Sequence, residues 1–492
     1  MTCVPTGWIR PSRIVTRCIT ERPSSAMRRP VFIGMAALVG VAAATYLSGI
    51  EQLSMIAGAF LFFMALGTSF VRGTDALYII VFAMLFSPEI GASVDTGRTT
   101  GEGSAVSMRL EDLLLVAVGV GWLLRTAYHR RHFGIIRTRL NAPIMLYVAA
   151  AFVSTLLGIL HGSVNVLPGI FHNLKVFEYF FIFFMILAHI RSQKTVRGVI
   201  IAMLVVFFMA LLYGYMQIGT GERVTAPFDS EPNTFGGYIV LMMCVCLGVV
   251  LHQPRTRTAI IMGGLLLLAF PPLLFTLSRA SYMGFCTGIL GFLLLSRYRV
   301  IAGTLLMALV SALVLGAPFL PAKTIDRITS TFKRGTEYHV QIGGVDLDPS
   351  ASARLVSYGR AIEKWVERPL FGHGVTGTHF IDGQYFRVLA ETGLLGLWTF
   401  LFLIWRLTSS LYRAYVNLQD RFLKGVAMGV FCGVIAILGH AVSANSFIII
   451  RIAEPLWVLA GLILIAHHLE RFPKLSADQE PADVVAARPP AA

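Results

Sequence analysis

The feature that most constrains this chain is a succession of uncharged apolar segments that recurs from residue 31 to residue 468. A helix needs about 20 apolar residues to cross the hydrocarbon core of a bilayer. Only 14% of the residues are charged, against about 25% in ordinary soluble domains. Transmembrane β-strands would give alternating segments of about ten residues, and the sequence does not show them. The pattern predicts an all-α, polytopic integral membrane bundle.

Fourteen apolar spans can be counted, so the predicted fold is a bundle of about 12–14 transmembrane helices. The span at 75–92 is the weakest because it contains Pro88 and Glu89, and the span at 281–296 is short. The predicted spans are 31–50, 53–71, 75–92, 110–127, 142–160, 174–190, 198–216, 235–251, 259–277, 281–296, 300–320, 389–409, 425–445 and 453–468.

The basic residues predict the orientation of the bundle. The net charge of +15 is concentrated in short connections between spans, where Lys and Arg mark the cytoplasmic side. With the Arg-rich N-terminal tail placed inside and the spans alternating, every inside connection is basic and the short outside connections contain no Lys. We expect both termini to lie in the cytoplasm, with the chain starting at Met1 or at Met27. The positive charge therefore indicates topology, and no nucleic-acid partner is expected.

The chain divides into five predicted parts. A basic cytoplasmic tail (1–30) precedes the first eleven helices (31–320), and three further helices (389–468) precede a disordered cytoplasmic tail (469–492). Residues 321–388 form the one long polar connection, which the alternation places in the periplasm. Within that loop, Ser352 to Leu370 reads as an amphipathic helix, which would lie on the membrane surface or cap the bundle.

Several arginines persist on the predicted outside, where Arg is otherwise rare. Guanidinium groups pair with phosphate through two parallel hydrogen bonds, so arginines that converge at one face would form an anion site. The alternative is that each one reaches toward lipid headgroups. For Arg279 we favour a functional role, because its flanking spans leave it little loop to extend into. The outside arginines that we consider as candidates are Arg223, Arg279, Arg354, Arg360, Arg368, Arg387 and Arg451.

Candidate acid–base groups lie on the same predicted face. A carboxylate or imidazole there could take a proton from a sugar hydroxyl, although each could equally be an ordinary loop residue. His373 and His379 lack the spacing of a metal-binding loop, so no metal is expected. The sequence contains no Walker motif and no dinucleotide fingerprint, so no other cofactor is expected. We expect Lys175 and Glu178 to form an ion pair. The remaining polar candidates are Asp382, Glu391, Asp229, Glu231 and Asn233, together with His440 and Asn445 late in a span.

Three motifs occur in the order found in one known family. They are Arg223…Pro227-Phe…Pro232-Asn233…Gly237-Tyr238, then Thr276-Leu-Ser278-Arg279-Ala280-Ser, then Arg368-Pro-Leu-Phe-Gly-His-Gly374 followed by Asp382-Gly-Gln-Tyr385 and Glu391-Thr-Gly393. Over roughly residues 200–450 the chain resembles the O-antigen ligase and O-antigen polymerase superfamily. The resemblance implies metal-independent, inverting transfer of a glycan from a polyprenyl-diphosphate carrier to an acceptor at the periplasmic face. Such transfer makes lipopolysaccharide O antigen or exopolysaccharide for the cell envelope, so the resemblance also implies a protein of the bacterial inner membrane.

The resemblance also implies roles for particular residues. Arg279 matches the signature arginine and Arg223 an upstream one, so both would bind the diphosphate, with Arg354 and Arg360 assisting from the loop helix. Ligases usually carry His-Asn three and two residues before the loop tyrosine, where this chain has Asp382 and Gly383. We therefore expect Asp382, or else His379 or His373, to be the base. The departure favours a polymerase, or a related transferase of uncertain acceptor, over a ligase.

The expected partners follow from that reaction. They are a lipid-linked oligosaccharide, a glycan or lipid acceptor and membrane lipid, with a chain-length regulator protein as a further candidate. The alternative function is a transporter or flippase for a lipid-linked saccharide or another anion. Transporters usually place charged sites near the midplane and often show repeated halves, whereas the charge of this chain gathers at one face.

Overall fold

A computed structural model of the chain describes residues 51–71, 73–94, 106–128, 138–253, 256–295, 300, 303–304, 341–342, 345–346 and 349–472. Within these ranges the helices are α1 Glu51–Val71, α2 Gly73–Phe86, α3 Leu110–Tyr128, α4 Asn141–Leu160, α5 Val166–His189, α6 Gln193–Gln217, α7 Pro232–His252, α8 Arg257–Phe275, α9 Arg279–Leu295, α10 Pro349–Glu367, α11 Gln384–Asn417, α12 Arg421–His440 and α13 Ile450–Arg471.

The predicted all-α membrane bundle is confirmed. Among the described residues, eight helices are long and apolar enough to cross a membrane by length and composition: α4, α5, α6, α7, α8, α11, α12 and α13. Shorter apolar helices include α2 and α9. Twelve of the fourteen predicted spans coincide with described helices, while the spans at 31–50 and 300–320 lie almost wholly outside the described residues.

The weakest predicted span, 75–92, is too long by six residues. Helix α2 ends at Phe86, because Pro88 disfavours helical geometry in the residue before it. The chain then forms the strand β1 (Glu89–Val94), which pairs antiparallel with β2 (Val106–Arg109). Apolar composition alone did not predict this hairpin. A second short antiparallel pair, β3 (Gln341–Ile342) with β4 (Val345–Asp346), lies in the long loop.

Helix α7 lies at the centre of the bundle and is almost entirely buried. Its closest neighbour is α12, and small residues at the crossing allow the two backbones to approach. A Cβ atom added to Gly248 would lie 2.3 Å from the carbonyl oxygen of Gly425, and one added to Gly429 would lie 2.5 Å from the Cα atom of Val245. This close crossing brings the starts of α7 and α9 next to the end of α12.

The predicted outside connections meet at one end of the bundle, which we call the site end. Arg451, at the start of α13, donates to the carbonyl oxygens of Pro227, before α7, and of Ser87, after α2. The Ser154 hydroxyl on α4 donates to the carbonyl oxygen of Phe371 in the long loop, at 2.5 Å. Connections that are far apart in sequence are therefore bound to one another here.

The predicted inside connections meet at the opposite end. Arg197, early in α6, forms an ion pair with Asp420, which caps the start of α12. The Gln193 side chain donates to the carbonyl oxygen of Ala466 late in α13, at 2.8 Å. The grouping of the described connections into two ends agrees with the predicted alternation of spans, while the compartment that each end faces stays a prediction.

Helix α11 is broken near its start, and the long loop is bound into the break. Gly393 has φ 66° and ψ −166°, far from helical values. The Leu394 amide donates to the Pro369 carbonyl oxygen at 2.9 Å, and the Gly374 amide donates to the Glu391 carbonyl oxygen at 2.8 Å. The loop thereby satisfies backbone groups that the break removes from the helical pattern. Residues 384–392, before the break, form a separate short helical segment at the site end.

Substitution of Gly393 by Ala should destabilise the protein. Its φ lies in the left-handed region, and an added Cβ would lie 2.3 Å from the Leu370 carbonyl oxygen. We expect a loss of about 1–3 kcal/mol from the backbone conformation alone, seen as a lower thermal midpoint of the detergent-solubilised protein. Gly263→Ala in α8 is the matched control, since an added Cβ there meets no atom within 4 Å. Equal midpoints for the two variants would contradict this account of the break.

Candidate functional site

The Thr276-Leu-Ser-Arg279 motif forms the tight turn between α8 and α9. Leu277 has a left-handed backbone, with φ 49°. Arg223, from the connection between α6 and α7, lies directly against this turn. Its Nε donates to the Thr276 carbonyl oxygen at 2.8 Å and its Nη2 donates to the Leu277 carbonyl oxygen at 3.3 Å. The two arginines that the resemblance paired, Arg223 and Arg279, are thus brought to the same turn.

Arg279 is the first residue of α9, and its side chain is exposed at the site end. The start of a helix presents backbone N–H groups and the positive end of the helix dipole. A guanidinium group beside such a terminus favours an anion, and phosphate is among the anions that both groups bind. The position therefore suits the diphosphate-binding role predicted for Arg279.

Below this turn, a chain of hydrogen bonds runs through a fully buried histidine. Ser278 Oγ donates to Asn233 Oδ1 at 2.7 Å, and Ser281 Oγ donates to Ser278 Oγ at 2.7 Å. Ser281 has one hydroxyl proton, which it donates to Ser278. In the 3.3 Å contact between Ser281 Oγ and His440 Nε2, the imidazole Nε2–H must therefore be the donor. In the neutral ring, Nδ1 then accepts from the Ser446 hydroxyl at 2.6 Å.

His440 therefore connects three elements of the site end. Its ring joins the end of α12 to the Arg279 turn through Ser281, and Ser278 continues the chain to Asn233 at the start of α7. Both ring nitrogens are occupied and the side chain is buried, so His440 fixes the geometry of the turn. Gly236 makes room for the contact, since an added Cβ would lie 2.0 Å from Ser281 Oγ.

Asp382 lies between the loop helix α10 and the connection from α12 to α13. Its amide donates to the Ser357 hydroxyl oxygen on α10 at 3.1 Å. The residues on either side are bound too: Asn445 donates to the Ile381 carbonyl oxygen at 3.0 Å, and the Gln384 amide donates to the Ala441 carbonyl oxygen at 3.0 Å. The backbone that carries this carboxylate is therefore held from both sides.

Burial raises the pKa of Asp382 above its ordinary value, and the positive charge of Arg354 opposes that rise. Arg354 is half-buried on α10, and its Nε–H is buried without a hydrogen-bond partner among the described residues. A buried, unsatisfied guanidinium N–H is uncommon in folded proteins. An anionic ligand that entered between Arg354 and the site would supply the missing acceptor.

Tyr358 helps to hold α10 over the site. Its ring stacks on that of Phe386, with centroids 4.2 Å apart, and its hydroxyl donates to the Val442 carbonyl oxygen at 2.7 Å. Burial raises the pKa of the Tyr358 phenol, an effect that Asp382 strengthens and Arg354 weakens. These contacts place the charges of α10 beside Asp382.

The other predicted site residues lie in different surroundings. His373 is buried, and its Nε2 donates to the Lys364 carbonyl oxygen at 2.8 Å. The His373 carbonyl oxygen accepts from the Ser163 hydroxyl at 2.9 Å, which ties the loop to the turn between α4 and α5. His379 and Arg360 are exposed. The structure therefore brings Arg223 to the Arg279 turn, and it places Arg354 near both Asp382 and His440. It engages His373 elsewhere.

Glu391 is engaged within the protein. The Nε of Arg387 donates to its Oε1 at 3.1 Å, and the Thr376 amide donates to the same oxygen at 3.3 Å. This pair lines a small cavity between α4, α5 and α11 that also contains Tyr147 and Lys175. Within the described residues, the His, Cys, Asp and Glu side chains form no group of three or more suited to a metal ion.

The predicted Lys175–Glu178 ion pair is confirmed at 3.3 Å, but it belongs to a larger buried group. Lys175 also pairs with Asp112, and the carboxylates of Glu111 and Glu454 are buried nearby. Sequence reasoning missed these partners. The available signal was that Glu111, Asp112 and Glu454 each lie in an apolar span, where an ionisable residue marks a bundle-facing position.

Comparison with known proteins bears on the second half of the chain. Residues 264–401 match the family model described as O-Antigen ligase. The match confirms the resemblance to the O-antigen ligase and polymerase superfamily over these residues, and it supports glycan transfer of that general type. It includes Arg279, Arg354 and Asp382, whereas Arg223 precedes it and His440 follows it. A comparison with curated proteins gives no match.

Removal of the Ser281 hydroxyl should destabilise the site end. Ser281→Ala leaves the buried Nε2–H of His440 without this acceptor, and an unsatisfied buried donor costs about 1–3 kcal/mol. Ser410→Ala is the control, because within the described residues the Ser410 hydroxyl bonds only to the Arg406 carbonyl oxygen of its own helix, at 2.7 Å. Thermal unfolding in detergent should show a clear drop for the first variant and little change for the second. The reverse order would contradict the proposed network.

Proposed function

We propose that this chain transfers a glycan from a polyprenyl-diphosphate carrier to a hydroxyl acceptor, as a polysaccharide polymerase or O-antigen ligase. The observation that carries the proposal is the grouping of Arg223, Arg279 and Arg354 with the carboxylate of Asp382 at one end of a membrane bundle. Cations beside a base match the two needs of the reaction, because the diphosphate carries the negative charge and the acceptor must lose a proton.

The arginines would act on the leaving group. As the bond between the anomeric carbon and the diphosphate oxygen breaks, its electron pair stays with the diphosphate and the negative charge grows there. Arg279 and the N-terminus of α9 would face that charge, and Arg354 would add an N–H donor from the loop helix α10. Arg223 binds the backbone of the Arg279 turn, so it would support the diphosphate site from one side. Arg360 is exposed on α10 and would assist from farther out.

Asp382 would act on the acceptor. Its carboxylate takes the proton of the acceptor hydroxyl while the acceptor oxygen forms a bond to the anomeric carbon on the face opposite the leaving diphosphate, which inverts that carbon. A raised pKa makes the carboxylate a stronger base. We assign the base to Asp382 over His373, since the Nε2 of His373 already donates to a carbonyl oxygen. His379, three residues before Asp382, is the remaining alternative.

The placement of the reaction follows from the charge of the two ends. The connections at the end opposite the site are basic, which favours the cytoplasm for that end. The site end would then face the periplasm from the bacterial inner membrane, with both termini in the cytoplasm. Lipid-linked oligosaccharide presented on that leaflet would be the donor. Membrane lipid and a chain-length regulator are the further partners that we propose.

Replacement of Arg279 by Ala should abolish most of the transfer. Loss of one preorganised donor to a developing anion costs about 100–1,000-fold in rate. The assay follows glycan joining by the detergent-solubilised protein with lipid-linked oligosaccharide. Arg257→Ala is a closely matched control, because Arg257 is the first residue of the neighbouring α8 at the opposite end and is also exposed.

Two outcomes of that assay would count against the proposal. Undiminished joining by the Arg279→Ala protein would remove Arg279 from the site. An absence of joining by the wild-type protein, together with movement of the lipid-linked saccharide across proteoliposomes, would instead support the transporter or flippase alternative.

The pH dependence of transfer should report the ionisation of Asp382. The carboxylate must be ionised to accept a proton, so the rate should rise with pH through the raised pKa of Asp382. Arg354 lowers that pKa, so Arg354→Gln should move the acidic limb of the pH–rate profile to higher pH, and Asp382→Asn should remove most of the activity.

Lys364→Gln removes a positive charge farther along α10 and is the control for this experiment. Lys364 pairs with Glu367 on the exposed side of the helix, at 2.8 Å. Its substitution should leave the acidic limb in place. Two results would show that another group is the base. One is an acidic limb at the wild-type pH in the Arg354→Gln protein, and the other is an unchanged acidic limb in the Asp382→Asn protein.

A further inference from the structure

Arg451 is fully buried, although the sequence places it in an outside connection. It is the second residue of α13, and its side chain has 0% exposure. A buried guanidinium group is costly unless its N–H donors find acceptors. Headgroup contact, the ordinary role of an interfacial arginine, is therefore not the role of Arg451.

Its guanidinium binds two separate segments of irregular backbone. Nη1 donates to the Pro227 carbonyl oxygen. Nη2 donates to the Phe228 carbonyl oxygen at 3.0 Å and to the Ser87 carbonyl oxygen at 3.1 Å. The Asp229 carboxylate lies 3.5 Å from Nη1 and partly balances the charge. The side chain thus joins α13 to the connection after α2 and to the connection before α7.

Part of the backbone that Arg451 binds is in a strained conformation. Phe228 has φ 55°, in the left-handed region, where the Cβ atom of a non-glycine residue comes too close to the backbone. The same connection carries Arg223, which binds the Thr276 carbonyl oxygen, and it ends at Asn233, which accepts from the Ser278 hydroxyl. Residues 223–233 are therefore bound to the Arg279 turn at both ends and to Arg451 in the middle.

We propose that Arg451 is a positioning residue, which holds residues 223–233 in the conformation that brings Arg223 and Asn233 onto the Arg279 turn. Arg451 is buried beneath this connection and would not touch substrate. The inference rests on the proposed function for its effect on transfer, but its effect on residues 223–233 is independent of that function. Lysine should not replace Arg451, because a single ammonium lacks the planar fork that reaches carbonyl groups in two segments.

The first test measures amide exchange in residues 223–233. Hydrogen–deuterium exchange of the full-length protein in detergent is compared for wild type and Arg451→Lys. We expect faster amide exchange in residues 223–233 and unchanged exchange in residues 161–165, the connection between α4 and α5, with which Arg451 forms none of its described contacts. Unchanged exchange in residues 223–233 would overturn the proposal. This readout stands even if the chain proves not to transfer glycans.

The second test is a double-mutant cycle on the rate of transfer. If Arg451 acts through Arg223, then Arg451→Lys should lower kcat/KM about 10-fold or more, as loss of a positioning contact does. The same change should have little further effect in an Arg223→Ala background. Losses that multiply in the double variant would overturn the proposed route through Arg223.

A milder variant covers the case in which Arg451→Lys does not accumulate in the membrane. Asp229→Asn keeps the guanidinium contacts but removes the carboxylate that lies 3.5 Å from Nη1. We expect the same pattern at smaller size: faster exchange in residues 223–233, and a loss of transfer that does not add to that of Arg223→Ala. Exchange and transfer both equal to wild type would contradict the proposal.

Discussion

Buried backbone that leaves helical geometry must find hydrogen-bond partners inside the protein, because its N–H and C=O groups are shielded from water. The site end depends on this constraint. At the break in α11, the loop residues Pro369 and Gly374 supply backbone partners. At the turn before α9, Arg223 binds the carbonyl oxygens. Before α7, Arg451 does the same. The irregular backbone around the site is thus held by groups from distant parts of the chain.

The arginines of the site end consequently divide into two kinds. Arg451 is buried with both Nη groups donating to carbonyl oxygens, and Arg223 is half-buried and donates to the carbonyl oxygens of a turn. Arg279 is exposed at a helix start, and Arg354 is half-buried on α10 beside Asp382. The first kind gives the site its shape, and we infer that the second kind binds the diphosphate. Transfer needs both, since donors act on a developing charge only when they are already in place.

The sequence was sufficient to predict the bundle, because apolar segments long enough to cross a bilayer are typical of transmembrane helices. The alternation of basic connections likewise predicted which connections meet at each end. The Lys175–Glu178 pair was predictable from its spacing, but Asp112 was not, since it comes from another helix. The hairpin after Phe86 was missed because apolar composition does not distinguish a strand from the end of a span.

The functional site was only partly predictable from the sequence. Motif order identified Arg223, Arg279 and Asp382 as candidates, but it carried no information on packing. The chain from Asn233 to His440 joins α7, α9 and α12, which are far apart in sequence, and only the close crossing of α7 and α12 brings them together. Arg451 could be read as an outside arginine, yet its burial depends on the path of two connections that the spans do not determine.

The most direct test of the central claim is the compartment that the site end faces. In a cysteine-free background, His379→Cys marks the exposed loop beside Asp382, and Gln419→Cys marks an exposed position at the opposite end. A membrane-impermeant maleimide is applied to cells whose outer membrane alone has been opened. The account predicts that position 379 is labelled at once and position 419 only after the inner membrane is disrupted. Labelling of position 419 alone in intact inner membranes would contradict it.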